Sequence, residues 1–320
     1  MKRKIIAWNC QGAFRKKYKQ ILELEPDILI ISECESEEKL RFGELTPTPN
    51  DFIWYSSSGK KGLGIFSYSD YRLELMKEFN PKYRYVLPIK VSNNEERFLL
   101  FAIWAMNNKE NPSMRYIAQV WQAIHYYNHL FNLNVVLMGD FNSNKIWDHD
   151  GYSGNHTDVV TFLENKHINS LYHIENNVLH GKESEYTFFM QHNLEKAYHT
   201  DYCFVSESFL DMNARLLLGN PIDWIEYSDH MPLILSYDPI VMCLDFENSF
   251  LKFVDRKVDS FSLITQKKFS DWIENLKKKA SRIEQDDLDD VQRIELVEAM
   301  EYLSEIDKKI VEIHKYIMNK

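Results

Sequence analysis

The stretch LNVVLMGDFNSN, residues 133–144, decides how the rest of the chain is read. Val135, Val136, Leu137 and Met138 form an unbroken apolar run, which suits a strand covered on both faces in a layered domain. The run ends at Gly139, Asp140, Phe141 and Asn142, so a carboxylate and an amide stand at the mouth of a buried strand. A polar group in that position is held by the strand behind it and still faces solvent. Asp and Asn are also ordinary turn residues. What decides between the two readings is whether other strands end the same way.

Working outward, they do. Ile5 to Trp8 reads as a short strand ending at Asn9, Arg15 to Glu23 as a helix stopped near Pro26, and Ile28 to Ile31 as a second buried strand with Glu33 beyond it. Strand, helix and strand in that order suggest an α/β unit. Asn9-Cys10-Gln11-Gly12 is not a dinucleotide-binding fingerprint. From Phe52 to Leu87 the texture becomes short strands and turns, the last strand running Tyr83 to Val91, as expected of an antiparallel meander. Arg97 to Met106 is a long strand ending near Asn107, and Met114 to Leu130 carries apolar residues at helical spacing. His156 to Glu164 reads as a short helix, and Ser170 to His173 and Thr187 to Phe189 as strand pieces around the polar loop His180 to Glu185. Tyr202 to Val205 follows directly on Asp201, and Ser228-Asp229-His230-Met231-Pro232 leads into Leu233 to Ser236.

A domain boundary falls at Asp238-Pro239, giving a first domain over 1–239. Residues 240–320 are helical in grammar, and Asp289 to Ile317 contains neither proline nor glycine. Leu303, Ile306, Ile310, Ile313 and Ile317 repeat at 3, 4, 3 and 4, the seam of a helical hairpin or short coiled coil. This extension suits a hairpin packed on itself or on the first domain, a flap over a substrate, or an arm for self-association or a protein partner through residues 265–320.

Composition narrows the classes. The 320 residues are 44% hydrophobic and 14% aromatic, enough to fill a sizeable core. A formal charge of −10 counts against a tight, non-specific polyanion binder. It does not exclude an enzyme that meets phosphate through a divalent metal and a local groove. Local basic material comes from Arg15, Lys16, Lys17, Lys19, Lys60, Lys61 and Lys109. Cys10, Cys34, Cys203 and Cys243 have no CxxC spacing and read as buried free thiols. MKRKIIAW opens no signal-length apolar segment, and no run approaches a membrane span of roughly 20 residues. Cytoplasmic residence is the expectation.

Asn9, Glu33, Asn107, Asp140, Asn142, Asp201, Asp229 and His230 all border short apolar strands, so a shared rim on a two-sheet sandwich is expected. With oxygen donors dominant and no Cys/His cluster evident, the expected ion is Mg2+ or Mn2+ rather than Zn2+.

The chain resembles the endonuclease/exonuclease/phosphatase superfamily, which includes exonuclease-III-like and deoxyribonuclease-I-like nucleases, neutral sphingomyelinases and inositol-phosphate phosphatases. The resemblance lies in WNCQG at 8–12, SECE at 32–35, GLGIFS at 62–67, WAMN at 104–107, GDFNSN at 139–144, HTDYCFVS at 199–206 and SDHMPLI at 228–234. It implies a four-layered α/β-sandwich with two central, mainly antiparallel sheets and a divalent metal at one end. By that resemblance Glu33, Asn9 and Asp229 hold the metal, Asp140 orients or deprotonates the attacking water, and Asn142 donates to phosphate. His230, oriented by Asp201, meets a non-bridging oxygen, and Asn107 and Trp104 complete the site. Gln11, Trp104 and His199 stand where exonuclease-III-like members have a carboxylate, a tyrosine and an arginine. The expected activity is metal-dependent cleavage of DNA or RNA. The alternatives are a phosphatase or phosphodiesterase for a small or lipid phosphate, and a non-catalytic scaffold working through its helical arm.

Overall fold

Apolar runs too short for helices pair into two large sheets. The computed structural model describes residues 2–239 apart from 95, 110, 132, 133 and 152. The expectations for 240–320, including a partner through 265–320, lie outside the described residues. In chain order the strands are β1 (Arg3–Asn9), β2 (Ile28–Cys34), β3 (Asp51–Tyr55), β4 (Gly62–Ser67), β5 (Arg72–Leu75), β6 (Val86–Ser92), β7 (Arg97–Trp104), β8 (Val135–Asp140), β9 (Ile168–Ser170), β10 (Phe188–Phe189), β11 (Ala197–Tyr198), β12 (Asp201–Ser206), β13 (Arg215–Leu218) and β14 (Leu233–Tyr237). One sheet has the order β13-β14-β1-β2-β4-β3 and the other β5-β6-β7-β8-β12-β9, while β10 and β11 form a small ribbon.

Each large sheet contains one parallel pair, β1 with β2 and β7 with β8; its other neighbours are antiparallel. Parallel neighbours need a crossover. The connections are α1 (Tyr18–Leu22) in the first sheet and, in the second, a longer segment containing the helix Ile117–Tyr126.

Side-chain alternation explains why the runs are apolar without a break. Ile5, Ala7, Ile28 and Ile30 face Leu87, Ile89, Leu100, Ala102 and Val136 across the space between the sheets. The intervening Ile6, Trp8, Leu29 and Ile31 turn outward onto Ile21 of α1. On the second sheet, Phe101, Ile103, Val135 and Leu137 turn outward onto Val120, Ala123 and Ile124, and onto Val159, Val160 and Leu163 of the helix His156–Glu164. The result is an α/β sandwich of two large mixed sheets with helices.

Several expectations change. The meander is split: β3 pairs with β4 in one sheet and β5 with β6 in the other, because the turn at Ser69-Asp70 carries the chain between sheets. The expected helix over Met114–Leu130 is helical over Ile117–Tyr126, flanked by tighter 3-10 turns. Ser170 to His173 is not a strand: β9 ends at Ser170 and the helix Leu171–Asn176 begins, burying Leu171 and Tyr172. Cys10, Cys34 and Cys203 are buried free thiols. Among the described residues, no helix is long and apolar enough to cross a membrane.

Candidate active site

Strand register brings the rim together. The end of β1 pairs with β2 at Asn9 and Ser32, the end of β7 with β8 at Trp104 and Asp140, and the end of β8 with the start of β12 at Asp140 and Asp201. Ala7 pairs with Leu233, so the segment 228–230 before β14 arrives beside Asn9. Ser228 Oγ donates to Asn9 O at 2.7 Å and accepts from His230 N at 3.1 Å, and Trp8 Nε1 donates to His230 O at 2.8 Å. Gly139 makes the close approach of β7 and β8 possible. Its φ is +137° and a Cβ there would lie 2.1 Å from Ile103 O.

Asp140, Asp201 and His230 are buried, and each offers one ligand atom within 4.8 Å of the others. They therefore form an acidic/histidine cluster capable of coordinating a divalent metal. Asn9 Nδ2 donates to Asp140 Oδ2 at 3.0 Å from the opposite sheet. Asn142 donates to the same carboxylate twice, from its backbone N–H at 2.8 Å and its Nδ2 at 3.2 Å. His230 Nδ1 lies 2.9 Å from Asp201 Oδ2, which also accepts from Thr187 Oγ1 at 2.7 Å and Thr200 Oγ1 at 3.0 Å. The Phe188 ring covers one side of the imidazole at 4.6 Å. His230 Nε2 takes no hydrogen bond among the described residues.

The charge states follow from this packing. Burial alone would lower the His230 pKa, but Asp201 first and Asp140 next outweigh it and push the imidazole up to about 10. The Asp140 carboxyl is pushed up to about 7, by burial first and by Asp201, against the opposing pull of His230. Asp201 and Asp140 together favour the imidazolium at His230 over the neutral ring. A protonated imidazole is a donor and not a metal ligand. In that state the proton shared with Asp201 competes with any cation at this cluster.

Oxygen donors lie beside it. Glu33 sits at a bulge, where the β2–β4 register shifts between Ser32 and Cys34, and has φ +59°. A bulge re-aims a side chain, here lifting the Glu33 carboxylate to the half-buried rim beside an ion-pairing Lys61. Gln11, at φ +53°, donates Nε2 to Asp229 Oδ2 at 3.0 Å, and its backbone N–H donates to Asn9 Oδ1 at 3.0 Å. The Asp229 carboxyl is raised by burial, and Glu33 is close enough to add to that rise. Glu33, Asp229 and Asn9 are the oxygen-bearing side chains here that could hold a hard divalent cation.

The remaining residues are placed differently. Trp104 is in the inter-sheet core against the Tyr85 ring at 4.6 Å. Asn107 is exposed, beyond the end of β7. His199 is buried and engages Glu185 O at 2.9 Å, so it does not stand in for a phosphate-binding arginine. Arg15 pairs with Glu35, and Lys17 Nζ donates to Cys10 O at 2.6 Å. Thr187 and Ser228, which position Asp201 and His230, were not singled out by sequence. Isolated hydroxyls carry no periodic signal, and Ser228 lay unremarked in SDHMPLI.

No family model matches the chain, and no curated protein matches it. Among solved structures it is similar to an AP endonuclease from Archaeoglobus fulgidus, at 17% identity and a TM-score of 0.52, over 74% of this chain and 99% of that one. It is also similar to a 3'-5' exonuclease (NExo) from Neisseria Meningitidis, at 17% identity and a TM-score of 0.49, over 73% of this chain and 99% of that one. A variant of the 3' phosphatase NExo from Neisseria, bound to product DNA hairpin, gives 18% identity and a TM-score of 0.49, over 74% and 99%. At the level of the fold, the chain resembles the AP endonuclease structure.

Proposed function

We propose that this protein is a divalent-metal-dependent phosphodiester hydrolase that cuts DNA or RNA, built on a four-layered sandwich with its site at one end. The observation that carries the reading is the junction between sheets: Asn9 reaches Asp140 across the sandwich, and Asp140 lies beside the His230–Asp201 pair. Such convergence is what a single reacting centre requires.

Glu33, Asp229 and Asn9 would hold Mg2+ or Mn2+, which supplies positive charge to the phosphoryl oxygens when bound. His230 donates from Nε2 to a non-bridging oxygen while Asp201 holds its Nδ1 proton. Asp140, accepting from Asn9 and Asn142, orients and deprotonates water for in-line attack. A carboxyl raised toward neutrality is a better base than a free one. Asn142 supports the phosphate from the same loop. Lys17 and Lys61 give an otherwise acidic protein local positive charge beside Glu33, which favours a polynucleotide with phosphates on both sides of the scissile bond.

A second reading, a phosphatase or phosphodiesterase for small or lipid phosphates, is favoured by the burial of His199, which removes one cation from the groove. The deciding experiment is a metal-supplemented panel of single-stranded, double-stranded and abasic DNA, RNA, inositol phosphates, sphingomyelin and nucleotides, with Glu33→Gln and a chelated reaction as blanks. Cleavage of oligonucleotides alone supports the nuclease. Turnover of small phosphates alone moves the assignment to the second reading, and no chelator-sensitive turnover leaves the scaffold.

A further inference from the structure

Behind the candidate active site, four histidines that are scattered in sequence come together around one carboxylate. His156 opens the helix His156–Glu164, His173 lies in the helix Leu171–Asn176, His180 and Glu183 lie on the following loop, and His199 precedes β12. No Cys/His cluster is evident from spacing; the fold builds one. His173, His180 and Glu183 each offer a ligand atom within 4.8 Å of the others. We propose that they form a half-buried site for a zinc-type divalent transition metal, separate from the oxygen-donor site at Glu33.

The donor set is two imidazoles and a carboxylate, which suits Zn2+ and not Mg2+. The groups around it are arranged as supports for ligands. A ligating imidazole is fixed by a hydrogen bond from its other nitrogen. His173 Nδ1 lies 2.7 Å from Ser170 Oγ, leaving Nε2, 3.1 Å from Glu183 Oε1, on the ligand side. His180 Nδ1 lies 3.0 Å from His156 Nε2, leaving its own Nε2 for an ion. Glu183 is aimed by Gly181 N, which donates to Oε1 at 2.9 Å, and by Asn144 Nδ2, which donates to Oε2 at 3.2 Å.

The cluster also holds an unpartnered buried nitrogen: His156 is buried and its Nδ1 has no hydrogen-bond partner among the described residues. The His173 and His180 rings stack at 3.5 Å and 14°. In the ion-free cluster the His173 Nε2 proton faces Glu183 Oε1; an ion at Nε2 needs that proton moved to Nδ1, where Ser170 Oγ accepts it, and replaces the Nε2 contact to Glu183 with a bond from each group to the metal. The stack must open for both ring edges to meet one ion.

The site would brace the candidate active site from behind. Asn144, which donates to Glu183, also donates to His199 O at 2.9 Å and to Tyr202 Oη at 3.3 Å. It closes the same GDFNSN segment that carries Asp140 and Asn142.

The test is Zn2+ titration of the metal-stripped full chain by calorimetry, in the unsubstituted protein and in Glu33→Gln, His180→Ala and Glu183→Gln. One tight equivalent is expected, unchanged in Glu33→Gln and weakened about 100-fold or more in His180→Ala and in Glu183→Gln. Binding lost in Glu33→Gln, or equal in His180→Ala, overturns the proposal. Co2+ added to the unsubstituted chain gives a readout independent of any variant's folding. A visible absorption of low-coordinate Co2+, discharged by Zn2+, supports the site, and its absence overturns it.

Discussion

His230 and Asp201 meet at 2.9 Å in a site where both side chains are buried, although Asp201 opens a strand of one sheet and His230 stands just before a strand of the other. The pair links the two sheets as well as fixing which imidazole nitrogen faces the rim. Substituting Asp201→Asn keeps the shape and removes the charge. Turnover of the cut polynucleotide is expected to fall by about 10²–10³, the scale of losing one charge-stabilising group. In a double-mutant cycle, Asp201→Asn with His230→Ala should cost little more than His230→Ala alone. Losses that multiply would show that the two act independently.

The same pair sets a pH dependence of stability. The folded-state pKa of His230 is raised above its ordinary 6.5 to about 10. Its stabilising contribution is therefore full below 6.5, falls as pH rises from there, and is gone above about 10. Asp140, raised from 3.8 to about 7, acts mainly at lower pH, so above pH 7 the difference from His230→Ala reports the histidine. Urea midpoints in chelator-containing buffer should decline more steeply between pH 7 and 10 for the unsubstituted chain than for His230→Ala. Parallel profiles would refute the assigned charge.

Glu33→Gln should separate activity from stability. Its ion pair with Lys61 is solvent-facing, with the Lys61 side chain 49% exposed, and such pairs contribute about 0–1 kcal/mol. The thermal midpoint is expected to change little while metal-dependent turnover drops by at least about 10². A variant that retains full turnover would remove Glu33 from the metal site.

Gly139→Ala tests the route by which the central strand delivers Asp140. The added methyl meets backbone, Ile103 O at 2.1 Å, at a φ of +137°, so β7 and β8 must separate. A loss of about 3 kcal/mol in urea unfolding is expected, from strain and disturbed packing together. A near-neutral result would mean that the strand pair yields easily there.

Much of the fold is legible in the residues alone. β1, β2, β8, β12 and β14 announce themselves as apolar runs because both faces are covered, and Asn9, Asp140, Asp201 and His230 stand at their ends. Boundaries fared less well where local propensity and tertiary packing disagree. Ser170 to His173 is short and carries a leucine and a tyrosine, as a strand piece would, yet the chain turns helical at Leu171 to bury Tyr172. The expected metal set of Glu33, Asn9 and Asp229 keeps its place at the rim as a proposal, while Trp104 lies in the core and Asn107 is exposed.

By itself the sequence determined which segments are strands and which polar residues stand at their ends, since periodicity and burial are local properties written residue by residue. Only the tertiary structure decided which ends meet. The left-handed bulge at Glu33, the hydroxyls of Thr187 and Ser228 that fix Asp201 and His230, and the histidine cluster behind Asn144 all depend on contacts between segments far apart in the chain. Such contacts are selected by the pairing of sheets and leave no spacing in the sequence to betray them.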